Sequence, residues 1–297
     1  MWGRGSVAGR LALTVAAVAI AATGVVVAAD GSASAGGTPR VAVAPAALSG
    51  CAATGPYAVP ELTSAGVPAG LTLCRSGPIT ITEPGAVVDG WEIGGGIVVD
   101  ARDVVVRRSR IIGDGSVPYG IRTTRAGSVR IEDTTLTGDF PEAAVGDDRW
   151  TGTRIEITRV THDGARLGVR ARLRNSAVHD FAPGPETLAH GVVLHGTGSD
   201  VLVEDCRVEP GPAAASAVWV AATASPRVAD GPGVIRGNVL GGGRSTVREE
   251  PVSGIPTDLL IAGNRFQRAV GVVPLQVSPH AVLIDNRYVD GGMLPAR

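Results

Sequence analysis

Two dipeptides in one short stretch join an imidazole to a carboxylate, His162-Asp163 and His179-Asp180, seventeen residues apart. His190 and His195 follow, so four of the chain's 5 histidines fall within thirty-four residues. Histidine beside aspartate moves protons at neutral pH, with the carboxylate orienting the ring. His162, Asp163, His179, Asp180 and His190 are therefore the candidate acid, base and orienting groups. Arg166, Arg170, Arg172 and Arg174 stand among them, and an arginine fork holds a uronate or sulfate through two parallel hydrogen bonds. Arg166, Arg170, Glu186, His195 and Trp219 are the candidate substrate contacts, Trp219 as a flat platform for a sugar ring. Zinc is disfavoured, because His190 and His195, five residues apart, point to opposite faces of a regular strand.

Composition removes other chemistries. The net charge of -1 supplies no basic field for nucleic acid or an anionic membrane. Every one of the 27 basic residues is arginine, so no lysine can serve as base or form a Schiff base. With Gly 42 and aromatics at 3%, the chain also lacks the apolar bulk of a helical core.

What positions these side chains is a repeat. Two apolar residues at period two, a polar pair, a small or amide residue and a further apolar residue recur as "VVVRRSRI" (104–111), "VRIEDTTL" (129–136), "TRIEITRV" (153–160), "VLVEDCRV" (201–208), "GVIRGNVL" (233–240), "LLIAGNRF" (259–266) and "AVLIDNRY" (281–288). "ARLRNSAV" (171–178) fits more loosely. Alignment makes one column of Ser109, Thr134, Thr158, Ser176, Cys206, Asn238, Asn264 and Asn286. Two residues on runs an apolar column of Ile111, Leu136, Val160, Val178, Val208, Leu240, Phe266 and Tyr288. A second short piece follows several copies: "YGIRT", "LGVRA", "HGVVL" and "VGVVP", with Arg122 and Arg170 at one phase. Each unit holds short β-rich segments and glycine turns, with no helical periodicity long enough for a crossover helix. One such unit cannot bury its apolar face alone, but stacked units can. The expected fold is all-β: a single-stranded right-handed parallel β-helix of about eight or nine coils, stacked about 4.8 Å apart. Asn238, Asn264 and Asn286 are expected to form an amide ladder along its axis.

In this frame Asp114, Asp139 and Asp163 each lie three residues past the apolar column, one per coil, and Asp180 lies two past it. Aspartate beside glycine is ordinary corner chemistry, and that is the first reading of the row. The others are an oxygen-ligand cation site at Asp114, Asp139 and Asp163, with Ca²⁺ as the ion expected, or a carboxylate pair at glycosidase spacing.

The N-terminus reads as a secretion signal over residues 1–35. Arg4 and Arg10 precede an apolar run at 11–29, and Ala33-Ser34-Ala35 offers a cleavage site, with Ala29 a second candidate end. No other stretch is long and apolar enough to span a membrane. Residues 36–60 read as a leader and N-terminal cap, and residues 61–295 as the β-helix domain. Export permits disulfides, and of the 3 cysteines Cys51 and Cys74 are the expected pair, leaving Cys206 as a buried apolar thiol.

The run "GVPAGLTLCRSGPITITEPGAVVDGWEIGGGIVVDARDVVVRRSRI" (66–111) resembles the opening of secreted actinobacterial right-handed parallel β-helix proteins of the pectate-lyase-like superfamily. The resemblance extends over residues 61–295, and its specific part is the first two coils. It implies that "SGPITI" and "VVDGWEI" form those coils and that the N-terminal cysteine region caps the open end. It implies a carbohydrate ligand only at the level of the fold. The lyase Arg-x-Pro-x-x-Arg segment is absent, with only Ser225-Pro226-Arg227 nearby, and the Asp147-Asp148 pair lacks the Gly-His-Gly partner of the polygalacturonases. The expected function is a secreted, monomeric protein that engages extracellular polysaccharide, cleaving it as a lyase or hydrolase, or binding it without turnover.

Overall fold

The computed structural model describes residues 64–146, 148–195, 200–221, 233–250 and 259–295. Among them the chain winds as a right-handed parallel β-helix with three sheets of ten, nine and nine strands. Sheet 1 begins at Cys74–Ser76 and ends at Arg287–Tyr288; sheet 2 runs from Ile79–Ile81 to Val273–Gln276, and sheet 3 from Val87–Asp89 to Val282–Ile284. Each strand pairs in parallel with its counterpart one coil away. Coil length varies widely, as Cys74 stacks on Trp91 but Val208 stacks on Leu240. No helix of the described residues is long and apolar enough to cross a membrane.

One corner recurs in every coil, where sheet 3 gives way to sheet 1. Gly90, Arg108, Asp133, Arg154, Asn175, Asp205, Gly237, Gly263 and Asp285 all stand there with positive φ, between 45° and 77°. Glycine, asparagine and aspartate tolerate that left-handed conformation, whereas arginine resists it. The two arginines are held by carboxylates one coil back: Arg108 donates to Asp89 and Arg154 makes a bidentate pair with Asp133. From Gly90 to Gly263 each corner N–H donates to the next coil's carbonyl, Asp133 to Thr153 and Asn175 to Glu204 for example.

The next residue after most of these corners faces inward and supplies the expected small or amide column, at Ser109, Thr134, Ser176, Cys206, Asn238, Asn264 and Asn286. Its amide ladder is present: Asn238 Nδ2 donates to Asn264 Oδ1 at 2.9 Å, and Asn264 Nδ2 to Asn286 Oδ1 at 2.9 Å. Cys206 caps the ladder, its N–H donating to Asn238 Oδ1, and burial pushes its thiol up to about 12. Cys51, the expected partner of Cys74, lies outside the described residues, as do the signal segment and leader.

One coil departs from the expected register. Leu136 stacks on Ile157, not Val160, and Ile157 stacks on Val178. Trp150 pairs with Val129 and Gly152 with Ile131, so the true copy is "WTGTRIEI", three residues earlier than "TRIEITRV". Ile155, not Thr158, therefore takes the inward column. The reason is volume: a Cβ on Gly152 would lie 2.9 Å from Ile155 Cδ1 and 3.2 Å from the Trp150 ring. The large indole fills the space that an isoleucine fills in the coil before, and it hides the apolar pattern.

A tighter point occurs at Gly138, where the register with the next coil shifts. Its φ is +100°, and a Cβ there would meet the Gly113 carbonyl oxygen at 2.3 Å. Gly138→Ala combines an unfavourable φ with a clash against backbone and is expected to destabilise the fold by about 2 kcal/mol or more. A denaturant midpoint indistinguishable from that of the native chain would contradict this.

Candidate functional site

The sequence-predicted site residues are divided among three places. At the corner after sheet 1, Asp114 and Asp139 stack on adjacent coils as expected. Asp163 does not join them. With Ile157 as the anchor and the register shifted by one residue at Gly138, the position beyond Asp139 belongs to Thr161, whose hydroxyl bonds the Asp139 carboxylate. Asp114 receives the N–H and hydroxyl of Ser116, and the hydroxyl bond holds its carboxyl below the ordinary range. These are turn aspartates. Among the described residues no group of three or more His, Cys, Asp or Glu side chains converges as a metal site. The Ca²⁺ expectation for Asp114, Asp139 and Asp163 thus loses its third ligand to the register slip. His162 sits at the same corner, half-exposed, with Nδ1 3.0 Å from Thr161 Oγ1 and 3.8 Å from Asp139 Oδ1.

His179 and Asp180 belong to sheet 1. His179 Nδ1 lies 2.8 Å from Asp180 Oδ2, and Nε2 lies 3.3 Å from Glu156 Oε1. The Glu156 bond, opposed by burial and aided by Asp180, raises the His179 pKa. Carboxylates at both nitrogens favour the charged imidazole and leave neither nitrogen open to take a substrate proton. The dipeptide is thus an ion cluster at a corner where Asp180 stands at φ 55°.

Asp163 and His190 meet on sheet 2. Its strands Tyr119–Thr123, Ala143–Gly146, Asp163–Leu167, His190–His195, Ser216–Ala221 and Ser245–Glu249 stack in order. One lane carries Arg122, Gly146, Arg166, Val193, Trp219 and Arg248 on successive coils. Arg166, not Arg170, shares the phase of Arg122. Arg170 stands at a left-handed turn beyond the strand, with φ 57°. A second lane begins at Tyr119 and passes through Ala143 and Asp163 to His190, Ser216 and Ser245.

Asp163 is buried and holds two elements together. Its Oδ2 accepts from Arg166 Nε at 2.9 Å, and its Oδ1 accepts the His190 N–H at 3.0 Å. Arg166 also donates to Glu142 and to Tyr119 Oη, with its guanidinium 5.9 Å from the Tyr119 ring. Burial works against its charge, but Asp163 and Glu142 outweigh that and keep Arg166 firmly protonated. His190 shows the opposite balance. Burial lowers its pKa, Asp163 opposes this, and Arg248, Arg166 and Arg244 add to it, so the ring is neutral at pH 7. Its Nδ1 is 2.7 Å from Ser216 Oγ, and its face stacks on Trp219 with centroids 4.5 Å apart and 27° between planes. Ser216 is 0% exposed, so its hydroxyl orients the ring and is out of reach as a nucleophile.

Glu186 lies on an exposed turn before this strand, and His195 ends it, half-buried and opposite Ala221. Gly191 and Val192 are both buried, so the strand does not alternate strictly, and the opposite-face expectation for His190 and His195 does not follow from spacing. Tyr119, Glu142, Ser216 and Arg248 escaped the sequence reading. Their signal was the second repeated piece, properly aligned as "YGIRT", "DGARL", "HGVVL" and "SAVWV" with Asp163, not Leu167, at its head. No family model matches the chain, and no curated protein or solved structure matches it.

Proposed function

We propose that this protein acts outside the cell and binds an extended polysaccharide along sheet 2, without turnover. The observation that carries the reading is the half-exposed Trp219 ring, braced by His190, in one lane with Arg166 and exposed Arg248. A rigid aromatic face suits a sugar ring, and lane neighbours about 4.8 Å apart offer repeated contacts to a repeating chain. Arg248 and Arg244, both exposed, favour a glycan that carries carboxylate or sulfate. The resemblance of residues 66–111 to secreted pectate-lyase-like proteins and the apolar run at 11–29 support the location. Binding without turnover is favoured because His179 is doubly capped and Ser216 is sealed. Cleavage is the second reading, carried by His190, which is neutral beside Asp163 as a general base must be.

A panel of neutral and acidic glycans tests both readings, with affinity read by calorimetry and products read as new reducing ends and unsaturated sugars. Trp219→Ala is expected to weaken binding about tenfold, equivalent to about 1.4 kcal/mol, with an unchanged thermal melt. Equal affinity in that variant removes the platform from the mechanism, and products from any glycan establish the second reading.

A further inference from the structure

The described segment ahead of the first strand begins at Ser64. It is pinned to the flank of sheet 1, well along the stack. The Gly66 N–H donates to the Arg154 carbonyl at 2.8 Å, and the Val67 N–H donates to Thr135 Oγ1 at 3.0 Å. Arg75, Glu92, Arg110, Thr135 and Glu156 succeed one another in register on sheet 1. Four coil steps of about 4.8 Å make roughly 19 Å between the first and the last of these. From Gly66 to Cys74 there are eight residues, which reach at most about 29 Å when extended. The segment therefore spends most of its reach running back along the stack, against the direction in which the coils accumulate, with bends at Gly66 and Val67 and a turn at Ala69 and Gly70.

Its attachment point is built around one carboxylate. Gly66 is buried, and a Cβ there would fall 2.6 Å from Thr135 Oγ1 and 2.8 Å from Glu156 Oε2. The Thr135 hydroxyl that accepts from Val67 donates to Glu156 Oε2 at 3.0 Å. The other oxygen of Glu156 faces His179, and His179 faces Asp180. A continuous chain of hydrogen bonds thus links the backbone of the segment to two titratable groups on the surface.

We propose that residues 64–73 form a pH-dependent strap, gripped through Glu156 and His179 while both are charged and released while the solenoid stays folded. This lies on sheet 1 and is independent of the glycan reading on sheet 2. The charges around the hub are Arg159 on the same strand, His179 and Asp180 on the next coil, and the Arg207–Glu209 pair one coil further, where Glu209 stacks on His179. Arg154, beneath Gly66, is engaged with Asp133, and residues 64–68 bring no charge of their own.

The direction of each titration follows from its sign. The His179 bond, with Thr135 and Arg159 assisting and burial opposing, lowers the Glu156 pKa. Its contribution is complete above the ordinary glutamate range near about 4.3 and is lost as pH falls through the lowered value. The His179 pKa is raised, so its contribution is complete below the ordinary value of about 6.5 and is lost as pH rises through the raised one. The grip is strongest between these limits.

Hydrogen exchange on the full chain tests the strap, with peptides covering residues 64–73 followed across pH after correction for intrinsic rates. In the native chain, protection of the Gly66 and Val67 amides is expected to peak at mildly acidic to neutral pH and to fall at least tenfold on both sides. Glu156→Gln should flatten that profile at a low level. His179→Asn, at a half-exposed position that threatens the fold little, should remove the alkaline limb alone. Amides of Val192–Leu194 in sheet 2 serve as the internal reference and should not change. A flat native profile, native protection in Glu156→Gln, or a parallel loss in the reference amides would each overturn the proposal.

Discussion

Asn264→Ala is expected to lower stability by about 3–5 kcal/mol, the largest effect of any single polar substitution in the solenoid. The side chain is 0% exposed and makes four hydrogen bonds. Its Nδ2 donates to the Ile235 carbonyl and to Asn286 Oδ1, and its Oδ1 accepts from the Asn238 N–H and Asn238 Nδ2. Alanine leaves the Ile235 carbonyl and the Asn238 donors buried without those partners, and each unmet group costs about 1–3 kcal/mol. Asn286→Ala at the half-buried end of the ladder should cost less, because water reaches the groups it frees. The coils contact only their neighbours, so the loss in Asn264→Ala should be concentrated in the last coils. Chemical denaturation with exchange mapping checks this, and a loss below about 1 kcal/mol would mean that the ladder is ornamental.

The second large effect is expected at Asp163. Asp163→Ala removes the acceptor of both the Arg166 guanidinium and the buried His190 N–H. Breaking one partner of a buried ion pair costs about 3 kcal/mol or more, because the remaining charge stays desolvated. Glu142 still binds Arg166 and moderates the loss. Function should fall further than stability does, since Asp163 fixes the strand start that carries His190, and His190 braces Trp219. Asp163 is also the group that raises the His190 pKa against burial, so its removal should shift the ring further down. An NMR titration of His190 reads that shift. Asp163→Asn, which can still accept the His190 N–H, should keep more stability while showing the same downward shift. A melt and a His190 titration both unchanged in Asp163→Ala would refute the role assigned to this carboxylate.

The doubled His-Asp dipeptide shows where sequence reading stopped. Counted by phrase, Asp163 joined Asp114 and Asp139 at a corner; in three dimensions Thr161 stands there, and Asp163 opens a strand of sheet 2. The slip arose in the single coil where Trp150 and Gly152 replace the ordinary aliphatic pair. Pattern matching weighs residue types one by one, whereas packing conserves volume across neighbours, so a large ring beside a glycine satisfies the core and breaks the pattern.

From the sequence alone came the solenoid, its coil number, the amide ladder at Asn238, Asn264 and Asn286, and the corner role of Asp114 and Asp139. All of these repeat coil after coil, and repetition makes a weak local signal visible. Only the tertiary structure decided that His179 and His190 occupy different sheets, one capped on both nitrogens by carboxylates and the other a neutral brace for Trp219. It alone brought Gly66 to Arg154 and Thr135. Those contacts happen once, between residues far apart in the chain, and depend on how coils of unequal length come into register.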